Sequence, residues 1–293
     1  MEHTAPVFTP DMIHKQEMDT LLARTTPERR AIFESLSEKS WFANTSPELQ
    51  KKLLTLPDKG RENHDGFLQN LAERPEEISN IKVERLIDLP HGSFALIPKF
   101  EVSRIDNPAM RYTYEYASWR NGPLSGEKGV VFVEKNGETT HFIVLHGDKF
   151  ATGKKSFDSV GGFSDIGSDG VTKLDERTIK EMEEELGVPN IKITRKVDLG
   201  RVNTDVGMTN NEPKIFAAFI DASDAEKIPT NHINGDAYEL NSGAIAFPMS
   251  DLPKLVMTNT DGIFLSTIAR AWATGVIQPP LGLEGKKIGF SVN

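Results

Sequence analysis

Two apolar runs, Gly129-Val130-Val131-Phe132-Val133-Glu134 and Thr140-His141-Phe142-Ile143-Val144-Leu145, are separated by a short polar stretch containing Asn136-Gly137. Asn-Gly is the pair that most readily occupies two successive positive-φ positions, so this stretch commits the chain to a β-hairpin and hence to a sheet. Further strands are expected near 94–103, 191–203, 213–221 and 243–247, and in the alternating segment Arg111–Tyr116. A long helix is expected from Lys173 to Leu186, where Gly187 and then Pro189 stop it. A short helix near Ser250–Val256 and a last one over Asp261–Ala273 complete the pattern. Strands interleaved with helices make this part of the chain α/β with a mixed sheet.

The first 80 residues have a different texture. Segments Asp11–Arg24, Pro27–Leu36, Ser46–Leu56 and Asn63–Ala72 carry apolar residues at helical spacing. Thr26-Pro27-Glu28 and Ser46-Pro47-Glu48 supply a capping hydroxyl and a proline suited to the first turn. The expected organisation is a helical N-terminal extension over 1–80 and an α/β domain over 81–293.

Composition excludes several classes. The longest apolar run, Ile215–Ile220, has six residues against the roughly 20 that a spanning helix needs. The opening MEHTAPVFTPDMIHKQEMD lacks the apolar core of a secretory signal. The chain has no cysteine, which rules out disulfides and thiol nucleophiles and fits a cytoplasmic location. A net charge of −9 disfavours nucleic-acid backbones, so an anionic partner must be recruited by local cations or metal ions. The seven histidines show no zinc-binding spacing, and no G-x-S-x-G elbow, P-loop or G-x-G-x-x-G turn is present.

The chemistry concentrates in Gly161-Gly162-Phe163-Ser164-Asp165-Ile166-Gly167 and Glu181-Met182-Glu183-Glu184-Glu185-Leu186-Gly187. With about 100° per residue, Glu184 and Glu185 fall about −60° and +40° from Glu181, so three carboxylates share one arc beside an apolar seam of Met182, Ile179 and Leu186. Like charges at this spacing repel, and near a helix C-terminus the macrodipole is also unfavourable to them. Cations relieve both penalties, and carboxylate oxygens suit Mg²⁺ or Mn²⁺. A solvated charged face neutralised by Lys173, Arg177 and Lys180 is the other reading.

These residues resemble the box of the Nudix hydrolase family, which runs Gly, five residues, Glu, seven residues, Arg-Glu-apolar-x-Glu-Glu-x-Gly-apolar. Lys180-Glu181-Met182-Glu183-Glu184-Glu185-Leu186-Gly187-Val188 matches its second half, with Lys180 in place of Arg. In the first half Ser168 stands where the family has Glu, and 11 residues (169 to 179) intervene instead of seven, an insertion near Asp169–Thr172. Thr204–Ala218 is similar to a loop and strand of the ADP-ribose pyrophosphatase branch, and the resemblance spans about residues 95–275.

The resemblance implies a Nudix-like α/β/α sandwich that hydrolyses a nucleoside diphosphate derivative such as ADP-ribose with Mg²⁺ (or Mn²⁺). It implies metal ligation by Glu181, Glu184, Glu185 and a carbonyl of Gly161 or Gly162, and catalytic roles for Glu184, Glu212 and Lys180. Gly207 belongs to the glycine-containing loop of that branch. Phe163 is an expected base-stacking contact, and Arg111, Arg120 and Lys149 are expected phosphate contacts. Tyr112, Tyr114, Tyr116 and Trp119 either stack on a base or face the core. The partner is a small nucleotide, with neither nucleic acid nor membrane involved, and relatives of this kind often form homodimers. The rival expectation is a catalytically weak Nudix-fold protein that binds a nucleotide or has a regulatory role; Ser168 and the insertion speak for it.

Overall fold

The computed structural model describes residues 10–56, 64–93, 95–124, 126–162, 172–229 and 243–278. The chain divides into two compact units, Met1–Leu124 with Asp205–Asn211, and Ser125–Thr204 with Glu212–Asn293. Both helices and strands are present in each, and the protein is α/β.

The first unit contains helices α1 (Pro10–Leu22), α2 (Pro27–Ser37), α3 (Ser40–Ala43), α4 (Pro47–Leu54) and α5 (Asp65–Glu73). Its strands are β1 (Glu77–Ile78), β2 (Ile81–Asp88), β3 (Ala95–Leu96), β4 (Lys99–Arg104), β5 (Arg111–Glu115) and β6 (Ser118–Trp119). Thr26 and Ser46 cap α2 and α4 by accepting from the Arg29 and Leu49 amides, with Pro27 and Pro47 in the first turn. These helices are continuous in packing with the strands of the same unit. Phe33, Trp41, Leu53, Phe67 and Leu71 share one core with Val83, Leu86, Phe100, Val102 and Tyr116, most of them from the antiparallel sheet β1-β2-β4-β5. Trp41 meets Phe100 edge-on at 5.4 Å between ring centroids.

The second unit contains strands β7 (Glu127–Lys135), β8 (Glu138–Lys149), β9 (Lys154–Asp158), β10 (Ile193–Arg201), β11 (Lys214–Asp221) and β12 (Gly243–Pro248). Its helices are α6 (Thr172–Leu186), α7 (Ala222–Ala225), α8 (Leu252–Thr258) and α9 (Gly262–Ala273). The sheet runs β10-β11-β7-β8-β12, with β9 also paired to β8; β11 and β7 are parallel and the other pairs antiparallel. Asn136 (φ 55°) and Gly137 (φ 81°) form the expected hairpin turn. Alternation along β7 sends Val130 and Phe132 to a core with Phe264, Ile268 and Ala271 of α9, and Val131 and Val133 to a core with Met182 and Leu186 of α6. The sheet therefore carries helices on both faces. Among the described residues no helix is long and apolar enough to cross a membrane.

Two expectations are corrected by packing. Segment Asp205–Asn211, read from sequence as part of the second domain, belongs to the first unit, where Ala117 bridges Thr209 and the Trp119 amide donates to Asn211 Oδ1 at 2.9 Å. Ile179, placed in the apolar seam of α6, is 40% exposed.

Candidate functional site

The site begins with a fork in the second unit's sheet. Lys154–Asp158 pairs with Leu145–Lys149 of β8, and Val160 then bridges Gly129 of β7, delivering Gly161-Gly162 beside the first residue of β7, Glu127. Gly161 has φ +119°, and a Cβ there would lie 2.3 Å from the Glu127 carbonyl oxygen. Only glycine fits both the conformation and the space. The Glu127 amide in turn donates to the Gly162 carbonyl at 3.2 Å.

Helix α6 lies against this turn. Its end is set by Gly187 (φ 67°) and by the Val188 amide, which donates to the Glu183 carbonyl at 3.1 Å while Val188 itself is buried. Met182 and Leu186 dock on the sheet, and angular distance from that seam orders the carboxylates. Relative to Met182, Glu185 is rotated by about 60°, Glu181 by about 100° and Glu184 by about 160°. Glu185 is accordingly buried, Glu181 half-buried and Glu184 exposed. The Glu185 carboxylate accepts the Gly161 N–H at 2.6 Å. Glu181 reaches Gly162 so closely that a Cβ at 162 would lie 2.7 Å from its Oε2. Glu184 turns outward and stands 3.8 Å from Lys180 Nζ.

The structure thus gathers Glu181, Glu185, Gly161 and Gly162, four of the residues expected to surround a metal, at one turn. Carboxylate and backbone oxygens are the donor chemistry of a hard divalent cation, and Mg²⁺ commonly uses one or two protein carboxylates. Two carboxylates fit that pattern; no group of three His, Cys, Asp or Glu side chains with metal-binding geometry occurs among the described residues.

The other expected residues lie elsewhere. Glu212 is exposed just before β11. Arg111, Arg120 and Gly207 belong to the first unit. Arg111 is exposed and pairs with Glu101 at 3.0 Å. Arg120 is 2% exposed and donates to the Gly92 carbonyl at 3.1 Å, so it is a core residue and no surface phosphate contact. Tyr116 is likewise in the core, stacked on Phe100, whereas Tyr112 is exposed. Phe163 and Ser168 lie outside the described residues.

Two polar clusters were not expected from sequence. On the α6 face, the buried Glu127 carboxylate accepts from Thr178 Oγ1 at 2.5 Å and from Lys196 Nζ at 2.7 Å. On the α9 face, Asp158 receives Lys149 Nζ at 2.7 Å and Lys128 Nζ at 3.4 Å, and shares a hydrogen bond with Asp261. Burial first, then the hydrogen bond and negative charge of Asp158, push the Asp261 carboxyl up to about 7. Burial also opposes ionisation of Asp158, but Lys128, the Asp261 hydrogen bond and Lys149 outweigh it and hold that carboxyl well below the usual range. Lys149, expected as a phosphate contact, is engaged here. Glu127 and Lys128 open a strand, where period-2 alternation admits charges as readily as apolar residues and carries no mark of a buried pair.

No family model matches the sequence, and no curated protein matches it. Among solved structures, a crystal structure of an ADP compounds hydrolase matches with a TM-score of 0.48 and 13% identity, covering 69% of this chain and 98% of that one.

Proposed function

We propose that the protein is a Mg²⁺- or Mn²⁺-dependent hydrolase of a nucleoside diphosphate derivative, with an ADP-ribose-like pyrophosphate as the leading substrate, built on a Nudix-like α/β/α sandwich. The observation that carries this reading is the seating of the acidic helix on the glycine turn, with Glu185 on the Gly161 amide and Glu181 against Gly162. This seating supports the reading because it puts both carboxylates beside the turn whose carbonyls the box resemblance assigns to the metal.

In this reading Glu181 and Glu185 would hold the cation with a carbonyl of Gly161 or Gly162. When bound, the cation supplies charge neutralisation at the phosphate oxygens and lowers the pKa of water. Glu184, exposed at the rim, orients water or meets a second ion, Lys180 tempers its charge, and Glu212 positions the attacking water. One water is consumed and one anhydride P–O bond is cleaved, giving two phosphomonoesters. The working partner is a small nucleotide in the cytoplasm.

The test is chromatography of products from ADP-ribose, NAD, diadenosine polyphosphates and nucleoside triphosphates with Mg²⁺ or Mn²⁺, run beside Glu185→Gln. Gln can still accept the Gly161 amide, so the variant removes charge with little change of shape. Turnover of one substrate by the wild type and its loss in the variant is the expected result. A second reading is favoured by the outward turn of Glu184, which leaves two carboxylates at the turn: a Nudix-fold protein that binds a nucleotide without hydrolysing it. Nucleotide binding with no product from any compound of the panel would establish that reading instead.

A further inference from the structure

Glu127 touches both halves of the candidate site. Its backbone brackets the glycine turn, the amide donating to the Gly162 carbonyl at 3.2 Å and the carbonyl lying where any side chain at 161 would have to be. Its carboxylate holds the helix, through Thr178 Oγ1 at 2.5 Å. Thr178 precedes Glu181 by three residues and Glu185 by seven, so the three side chains share one face of α6 within about 60°. Lys196 of β10 donates to the same carboxylate oxygen at 2.7 Å while lying over the Phe216 ring. Glu127 is 5% exposed and Thr178 4% exposed, so these bonds are shielded from water and hold their geometry.

We infer that Glu127 and Thr178 are positioning residues, which fix the separation between the glycine turn and the carboxylates of Glu181 and Glu185, with Lys196 cancelling the charge that Glu127 adds beside them. This rests on the hydrolase reading above. Removing a side chain that orients a ligand typically costs tenfold to a hundredfold in metal affinity.

The test compares Thr178→Val, which removes the hydroxyl at nearly constant volume, with Thr178→Ser, which retains it, in the full chain. Mn²⁺ binding is titrated with the metal alone, amide hydrogen exchange is followed at Gly161, and kcat and KM are measured for whichever substrate the panel identifies. Thr178→Val should weaken Mn²⁺ by about tenfold or more, speed exchange at Gly161 and lower kcat more than it raises KM, and Thr178→Ser should restore all three. If Thr178→Val does not fold, Thr178→Ala, which also removes the hydroxyl donor to Glu127, gives the same comparison with Thr178→Ser. A wild type that binds Mn²⁺ and turns over substrate, with both variants indistinguishable from it, overturns the positioning role and leaves the hydrolase reading intact. A wild type that neither binds Mn²⁺ nor turns over any compound defeats the hydrolase reading, and the positioning role falls with it.

Discussion

Asp261 is a carboxyl that keeps its proton well above the range usual for its type. It caps α9 by accepting the Phe264 amide at 2.7 Å, and it shares a hydrogen bond with Asp158, which forces one of the two carboxyls to keep a proton. Its carboxyl titrates near 7 in the folded chain and near its ordinary 3.8 when unfolded. Between about pH 4 and pH 7 the folded state therefore holds a proton that the unfolded state releases, and this group's contribution to stability falls as pH rises through that window. Asp158 has the opposite sign: its depressed carboxyl contributes stability that is present above its unfolded value and lost in acid. Asp261→Asn should keep both the cap and a donor to Asp158 while abolishing titration. Melting temperature measured against pH should then lose the wild-type decline between about pH 5 and pH 7. An unchanged decline in the variant would assign the effect to other groups.

At the scale of elements, the β7–β8 hairpin isolates a purely conformational cost. Gly137 has φ 81°, and a Cβ added there would meet no atom within 4 Å. Gly137→Ala should destabilise by about 1–2 kcal/mol, the cost of an L side chain in left-handed backbone, as read by denaturant midpoint. No shift of the midpoint would mean that the turn relaxes to another type. Helix α6 illustrates how an element's rotation decides chemistry. Its C-terminal end is set by Gly187 and the adjacent Val188, both local features. Which carboxylates face the turn is set by Met182 and Leu186 entering the core, because that contact fixes the helix about its own axis.

At the scale of the molecule, the two units have separate cores. One is formed by helices α2 to α5 and the first sheet, and the other two lie on opposite faces of the six-stranded sheet. Phe67 is fully buried in the first of these. Phe67→Ala should cost about 3–5 kcal/mol through lost transfer energy and a cavity. Hydrogen exchange should accelerate in peptides from residues 27–116 and stay unchanged in peptides from β7 and β11. Equal acceleration in both would show that the units unfold as one.

The sequence by itself determined the features that depend on neighbours along the chain: the Asn136-Gly137 hairpin, the capped starts of α2 and α4, the end of α6 at Gly187 and the close spacing of its glutamates. Backbone sterics and helical or strand periodicity act over a few residues, and such features are legible without a partner. The tertiary structure decided everything that required distant segments to meet. It merged the N-terminal helices with a sheet that lies mostly after residue 80, drew Asp205–Asn211 into the first unit and buried Arg120 and Tyr116. It also set Glu181 and Glu185, and not Glu184, against the glycine turn, and joined Glu127 to Thr178 across 51 positions and Asp158 to Asp261 across a greater separation. A charged side chain in a strand carries no local sign of its future partner. Only the packing of the sheet against its helices makes the buried hydrogen bond that keeps it there.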